Sequence, residues 1–263
     1  MPGNLSDEPP IFSRDWYNEY FRRALYSRAH SQFCEKVYGR DLCQHGMQDI
    51  QELGFLISLI EPHSKILEIG CSNGYITEYI SDHTHSEIHG LDFSDVAIAQ
   101  AQARTQAKRA SLQFTCLDLT RQEPPGGDYD RILLIDSIYF MDDLDAALEK
   151  ISRKLSPSGK LLITFFQFMD DQTEKPLLPG NTRLAEALHT GGFAFESYDF
   201  TSNVKSHWLL NYQVGEELRE AFEKEGNQFL YPARLAENRE FKAYVEKDTI
   251  VRFLYVAKQA VAA

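Results

Sequence analysis

The chain predicts an α/β fold built on a doubly wound sheet, and three observations carry that expectation. Short apolar runs alternate with segments of helical periodicity along most of the chain. One such run, Ile66-Leu67-Glu68-Ile69, feeds into a turn bracketed by Gly70 and Gly74 that opens a helix. Three successive runs end either in that turn or in an acidic residue. Strands that alternate with helices build a parallel sheet with helices on both faces.

The elements follow in order. Residues 1–13, with Pro2, Gly3, Pro9 and Pro10, predict a flexible lead-in. Trp16, Tyr17, Tyr20, Phe21, Leu25 and Tyr26 recur at three-to-four spacing and predict a helix with an aromatic face. Phe33, Val37 and Tyr38 predict a second helix stopped at Gly39, and Gln44-His45-Gly46 a polar loop. Ile50, Leu53, Leu56, Ile57 and Ile60 mark a third helix, which Glu61-Pro62 ends. This block has two readings: aromatic packing onto the sheet edge, or a cap that lends Tyr17, Tyr20 or Tyr26 to a pocket. Aromatic rings attract cations through their quadrupole, so such a cap suits a sulfonium or an ammonium. His45 stands in a polar loop beside a glycine, either as a surface histidine or as a working one.

After the glycine turn, Ile76, Tyr79, Ile80 and His83 give the helix its period. Ile88–Asp92 predicts a second strand, and Phe114–Asp118 a third. Asp92 stands some twenty residues beyond the glycine turn, where an acidic side chain is placed to bond ribose hydroxyls. Between them Ser94 can cap a helix over 96–110. Tyr129–Ile135 predicts the fourth strand, with Asp136, Ser137 and Tyr139 past its carboxyl end. Ligands of open α/β sheets bind at that edge, so these three are substrate-side candidates. Leu144–Leu155 predicts a helix, Lys160–Phe166 a fifth strand, Gln167–Gly180 a polar rim, and Leu184–Leu188 a helix ended by Gly191-Gly192. Phe193–Thr201 and Thr249–Ala257 predict the last two strands. Ser202–Asp248 intervenes with helical runs at Glu216–Lys224 and Leu235–Val245. It reads as a lid, with His207, Trp208 and Tyr212 as pocket candidates, or as a helical decoration or dimer contact.

The turn does not fit the dinucleotide fingerprint, because the third and sixth positions from Gly70 are Ser72 and Tyr75. Its Glu68-x-Gly70-x-x-x-Gly74 instead resembles motif I of the class I S-adenosylmethionine (SAM) methyltransferases, and the resemblance runs over residues 60–168. Leu155–Ile163 is similar as well, with Ser158 where the family usually has glycine. The resemblance implies a Rossmann-like sheet, mostly parallel with its last strand antiparallel. It implies a cap over 1–60, a SAM-binding core over 61–201, a lid insertion over 202–248, and a final strand and tail over 249–263. It implies that Glu68 supports the loop and the methionine end of SAM, which Gly70, Cys71, Ser72 and Gly74 let lie against the turn. Asp92 and Phe93 would serve the ribose side, Asp118 and Leu119 the adenine, and Asp136 the region of the transferring methyl.

Composition narrows the partners. The net charge of −12 and basic residues that come no denser than pairs such as Lys108-Arg109 argue against nucleic acid as a partner. No apolar run nears the ~20 residues of a membrane span. Cys34, Cys43, Cys71 and Cys116 form no C-x-x-C pair and read as reduced thiols of a cytoplasmic protein, with no metal site. The expectation is therefore a small-molecule methyl acceptor, most readily an amine nitrogen, on a monomer or homodimer. His45 and His207 are the candidate general bases, with Tyr139 beside the reacting centre. A phenol or carboxylate O-methyltransferase, a non-catalytic SAM-binding protein and a nicotinamide-dependent oxidoreductase are the alternatives.

Overall fold

The computed structural model describes residues 9–169, 177–231 and 241–260. The expectations made for 1–8, for 170–176 of the rim and for 235–240 of the insertion lie outside these residues.

Side chains at the helix starts fix the N-terminal block. Ser13 accepts the Trp16 N–H at 3.2 Å to begin α1 (Arg14–Ala24). Ser27 accepts the His30 N–H at 3.0 Å to begin α2 (Arg28–Tyr38). Asp49 accepts from Gln51 and Glu52 to begin α3 (Ile50–Ser58). Each cap satisfies N–H groups that the first helical turn leaves open. Gly39, at φ 77°, ends α2 in the left-handed conformation.

The core then winds as β1 (Lys65–Ile69), α4 (Tyr75–Thr84), β2 (Glu87–Asp92), α5 (Asp95–Arg104), β3 (Leu112–Cys116), β4 (Tyr129–Leu134) and α6 (Leu144–Ser152). It continues through β5 (Leu155–Phe168), α7 (Arg183–Thr190) and β6 (Phe193–Asp199). After the insertion helices α8 (Thr201–Glu217) and α9 (Arg219–Lys224), β7 (Ile250–Gln259) closes the sheet. Sheet order is β3-β2-β1-β4-β5-β7-β6. The strands from β3 across to β5 pair in parallel, and β7 runs antiparallel to both β5 and β6. The sheet is thus Rossmann-like and mostly parallel.

Period-two alternation makes the sheet two-faced. Ile66, Leu133 and Leu162 pack on Leu53 and Leu56 of α3, Ile80 of α4 and Ile98 of α5. Their neighbours Leu67, Ile132 and Leu161 pack on Leu148 and Ile151 of α6 and Leu184 and Leu188 of α7. Strand β5 begins earlier than expected, because Ser156-Pro157-Ser158-Gly159 joins it through a register shift opposite Tyr129 and Arg131.

The insertion corrects the expectation of a lid. None of its described residues lines the cavity described below. Val214, Leu218, Phe222, Phe229 and Tyr231 instead join Trp16, Tyr20, Phe21 and Phe33 in one aromatic cluster. Glu225 accepts the Ser27 hydroxyl at 2.6 Å and the Ala29 N–H at 3.0 Å, which ties the insertion to the start of α2. Helix α8 escaped the periodicity because its buried face alternates Val204 and Trp208 with His207 and Asn211. Among the described residues, no helix is long and apolar enough to cross a membrane.

One ionic contact crosses from cap to core. Arg252 of β7, fully buried, donates through Nε to both oxygens of Glu52 at 3.0 Å and through Nη1 to Asp136 Oδ1 at 2.6 Å. Its Nη2 reaches Gln48 Oε1 at 3.2 Å and Asp136 Oδ2 at 3.3 Å. Burial pushes the Glu52 carboxyl up to about 7, against the pull of Arg252. Arg252→Ala strands two buried carboxylates and is expected to cost about 3–5 kcal/mol near pH 8, read by urea denaturation. A carboxyl raised in the folded state is charged, and costly, above about 7 and takes up a proton as the pH falls. The loss should therefore narrow between pH 8 and pH 5.

Candidate active site

The carboxyl ends of β1, β2, β3 and β4 meet at one edge of the sheet. After β1 the chain turns through Gly70 at φ 81°, Ser72 at φ 57° and Gly74 at φ 75°. A Cβ on Gly70 would lie 2.3 Å from the Cβ of Ser137, so glycine is what lets the ends of β1 and β4 touch. Ser137 seals that contact by donating to the Ile69 carbonyl at 2.5 Å. Asp92, at the end of β2, accepts the Ser72 N–H through Oδ2 and the Ser94 N–H through Oδ1, both at 2.8 Å. It therefore fixes the glycine turn and the start of α5 together. Ser94 also donates to Asn18 at 2.6 Å, which pins α1 over the same edge.

Below α1 lies a cavity of about 270 Å³. Its floor is Gly70, Ser72, Asp92, Asp118, Asp136 and Ser137 from the strand ends. Its other wall is Phe12, Tyr17, Phe21 and His45 from the cap, with Phe93 and Phe140 between. A recess of about 50 Å³ shares His45, Gly70, Ser72 and Asp136 and reaches Gln48, Glu68 and Asn73. Glu68 Oε2, Asn73 Nδ2 and Gln48 Nε2 are buried there without a hydrogen-bond partner among the described residues. Buried polar atoms of that kind are expected to meet a ligand or water. Burial also pushes the Glu68 carboxyl up to about 7, with the nearby Asp92 charge adding to the effect. Asp92 itself is pushed up to about 6 by burial, opposed by the Ser94 and Ser72 N–H groups.

His45 is held at this wall by rings. The centroids of Tyr20, Trp16, Tyr17 and Phe12 lie 4.8, 5.3, 5.4 and 6.2 Å from its own, all edge-on. The loop that carries it is fixed by the Tyr38 hydroxyl, which donates to the Gly46 carbonyl at 3.0 Å.

Several expected site residues lie elsewhere. Tyr20 is buried beneath Trp16, stacked at 5.4 Å, and supports the wall without lining it. Tyr26 is 83% exposed, because the helix ends at Ala24 before its ring can turn inward. His207 is buried against Tyr38 and bonds Asn211 Nδ2 at 2.7 Å, far into the α2–α8 packing. Trp208 stacks on Phe241 at 4.0 Å, and Tyr212 packs against the aromatic cluster behind the cap. Tyr139 turns away from the cavity: its hydroxyl accepts the Phe166 N–H at 2.7 Å and its ring stacks on Phe165. The short turn Ile138–Phe140 brings the next residue, Phe140, to the cavity instead. Cys71, by contrast, does line the recess, buried with its Sγ where a Cβ on Gly90 would lie 2.8 Å away.

Sequence reasoning missed Phe12, Phe21, Phe140 and the Glu52–Arg252 pair. Phe12 sits in a stretch without periodicity. Arg252 did carry a signal, as a lone cation in the otherwise apolar strand Ile250–Ala257.

The floor has the groups to hold a nucleoside. A carboxylate offers about four acceptor sites, and Asp92 uses two on backbone N–H groups, so both oxygens can still accept from a vicinal diol. Gly70→Ala should lose about 1–3 kcal/mol of stability by overpacking Ser137, whereas Gly127→Ala, with open space around it, should not, as thermal melts can test.

Comparison with known proteins agrees with this geometry. Residues 67–161 match the family model for a methyltransferase domain. An eEF1A lysine and N-terminal methyltransferase from Bos taurus is 29% identical over 112 residues, 41% of this chain and 16% of that protein. Phosphoethanolamine N-methyltransferase 3 from Arabidopsis thaliana is 28% identical over 131 residues, 49% of this chain and 26% of that protein. The chain thus spans about a quarter or less of the length of these relatives. The structure of phosphoethanolamine N-methyltransferase 2 from Haemonchus contortus, with phosphomonomethylethanolamine and S-adenosylhomocysteine, aligns at a TM-score of 0.71 and 18% identity. That alignment covers 93% of this chain and 60% of that one, and it shows a common fold. The chain therefore carries a methyltransferase domain over residues 67–161, set in a Rossmann-like sheet whose fold it shares with that solved methyltransferase.

Proposed function

We propose that this chain binds SAM against the glycine turn and the ends of β2 and β3, and transfers its methyl group to a small-molecule acceptor, an amine nitrogen, held under the cap. One observation supports this most: four strand ends and an aromatic cap close on a single cavity lined by three aspartates. Among the described residues, no lysine or arginine lines it. Such a wall favours cations over phosphorylated or carboxylated acceptors.

When bound, SAM supplies a methyl on a sulfonium, a good leaving group. The chain supplies position. Glu68, Asn73 and the Gly70–Gly74 turn receive the methionine end, Asp92 the ribose hydroxyls, and Asp118, Phe93 and Leu119 the adenine. Ser137 holds the two central strand ends together under the reacting centre. Tyr17, Phe12 and Phe140 enclose the acceptor and exclude water. His45, the one histidine among the described lining residues, is placed to take the proton that the nitrogen loses. The same histidine would equally serve a phenol, which makes phenol O-methylation the second reading. The four cysteines are free thiols, which suits a cytoplasmic setting.

Purified protein incubated with methyl-deuterated SAM and a panel of amines and phenols should yield a mass-shifted amine; a labelled phenol alone would establish the second reading. Asp92→Ala should weaken SAM binding by roughly 1–3 kcal/mol in calorimetry, and unchanged affinity would remove the ribose assignment. Because a diol is held by the ionised carboxylate, affinity should rise as the pH climbs through about 6, and Asp92→Asn should flatten that rise.

A further inference from the structure

Asp136 stands at the cavity floor, yet its carboxylate is already occupied. Oδ1 accepts Arg252 Nη1 at 2.6 Å, and Oδ2 accepts the Met47 N–H at 2.8 Å and Arg252 Nη2 at 3.3 Å. Gly46 lies so close that a Cβ there would come within 2.9 Å of Oδ2. The Asp136 N–H donates to Thr164 Oγ1 at 2.9 Å, and the residue sits at φ 50°, a left-handed conformation that a non-glycine side chain adopts at a cost. Strain of this kind persists only where the surroundings over-determine it, and here they do. Gly46 and Met47 directly follow the loop residue His45, while Gln48 and Glu52, further along the same segment, bond the far side of Arg252. Residues 46–52 of the cap are thus bonded at three points to just two residues of the core.

We infer that Asp136 is a positioning residue: it clamps the 45–47 backbone to the end of β4, and Arg252 orients it, so that His45 faces the cavity. This replaces the expectation that Asp136 contacts the cofactor. It rests on the reading of His45 as the acceptor-side group. The clamp joins an element from each end of the chain to the strand end beside the glycine turn. His45 is therefore set from the core as well as by the rings of its own cap.

The test is nuclear magnetic resonance of the histidine rings in the full chain, which has eight histidines, with His45 assigned by His45→Gln. Asp136→Asn keeps the shape but presents an N–H to donors, so it should displace the His45 ring signal. Leu148→Ala, which loosens the core beside α6, should leave that signal in place. S-adenosylhomocysteine affinity in Asp136→Asn should stay within about twofold of the parent. Should Asp136→Asn fail to fold, Arg252→Lys, which keeps the charge but loses the planar fork, should displace the same signal. An unmoved His45 signal, or an equal displacement in Leu148→Ala, overturns the inference. So does a loss of S-adenosylhomocysteine affinity beyond about tenfold, because it would make Asp136 a direct cofactor contact. The ring signals need no cofactor. A parent protein that binds no S-adenosylhomocysteine would sink the methyltransferase reading and leave the clamp to be judged on His45 alone.

Discussion

A guanidinium with no solvent exposure, held between two carboxylates, couples the cap to the sheet. Three buried charges are costly to desolvate, and a pair of that kind earns its place only with good geometry. Arg252 meets that requirement through donors on all three nitrogens, spread over Glu52, Gln48 and Asp136. Apolar packing of the cap could slide, because contacts between rings and aliphatic groups are weakly directional. A planar fork between fixed carboxylates cannot slide without stranding charge. The cost of burial thus yields one register of cap on core, and the cavity wall inherits that register.

The glycine turn solves a different problem at the same edge. A ligand lying against backbone needs a chain without Cβ atoms, while the sheet needs β1 and β4 in contact. Gly70 serves both needs, and Asp92 keeps the turn from relaxing by holding the Ser72 N–H. Both carboxylates deepest in this region, Glu68 and Asp92, have pKa values raised by burial, so an ordered diol or ammonium would help to hold them ionised. Any ligand that donates to these carboxylates would couple its binding to their protonation.

Behind the cap, the insertion between β6 and β7 acts as a buttress. Its packing on α2, and the bond from Ser27 to Glu225, leave the aromatic wall supported from both sides. The cavity is therefore backed by packed rings on the cap side, with Phe12 at its exposed edge.

What the sequence alone determined was whatever depends on near neighbours. The strand–glycine–helix unit, the acidic end of β2, the capped helices and the family resemblance all reside in a few consecutive residues, because backbone conformation and capping are local. The direction of a side chain was legible only where one period held, as for Ile66 and Leu67 on opposite faces. Tertiary structure decided the rest. Tyr139 and Phe140 exchange places through a single short turn, which no periodicity encodes. His207, Trp208 and Tyr212 were drawn behind the cap because α8 packs on α2 and β7. Arg252 meets Glu52 across two hundred positions of chain, since β7 inserts between β5 and β6. A buried ion pair of that reach depends on strand order, and strand order is set by how the whole core excludes water.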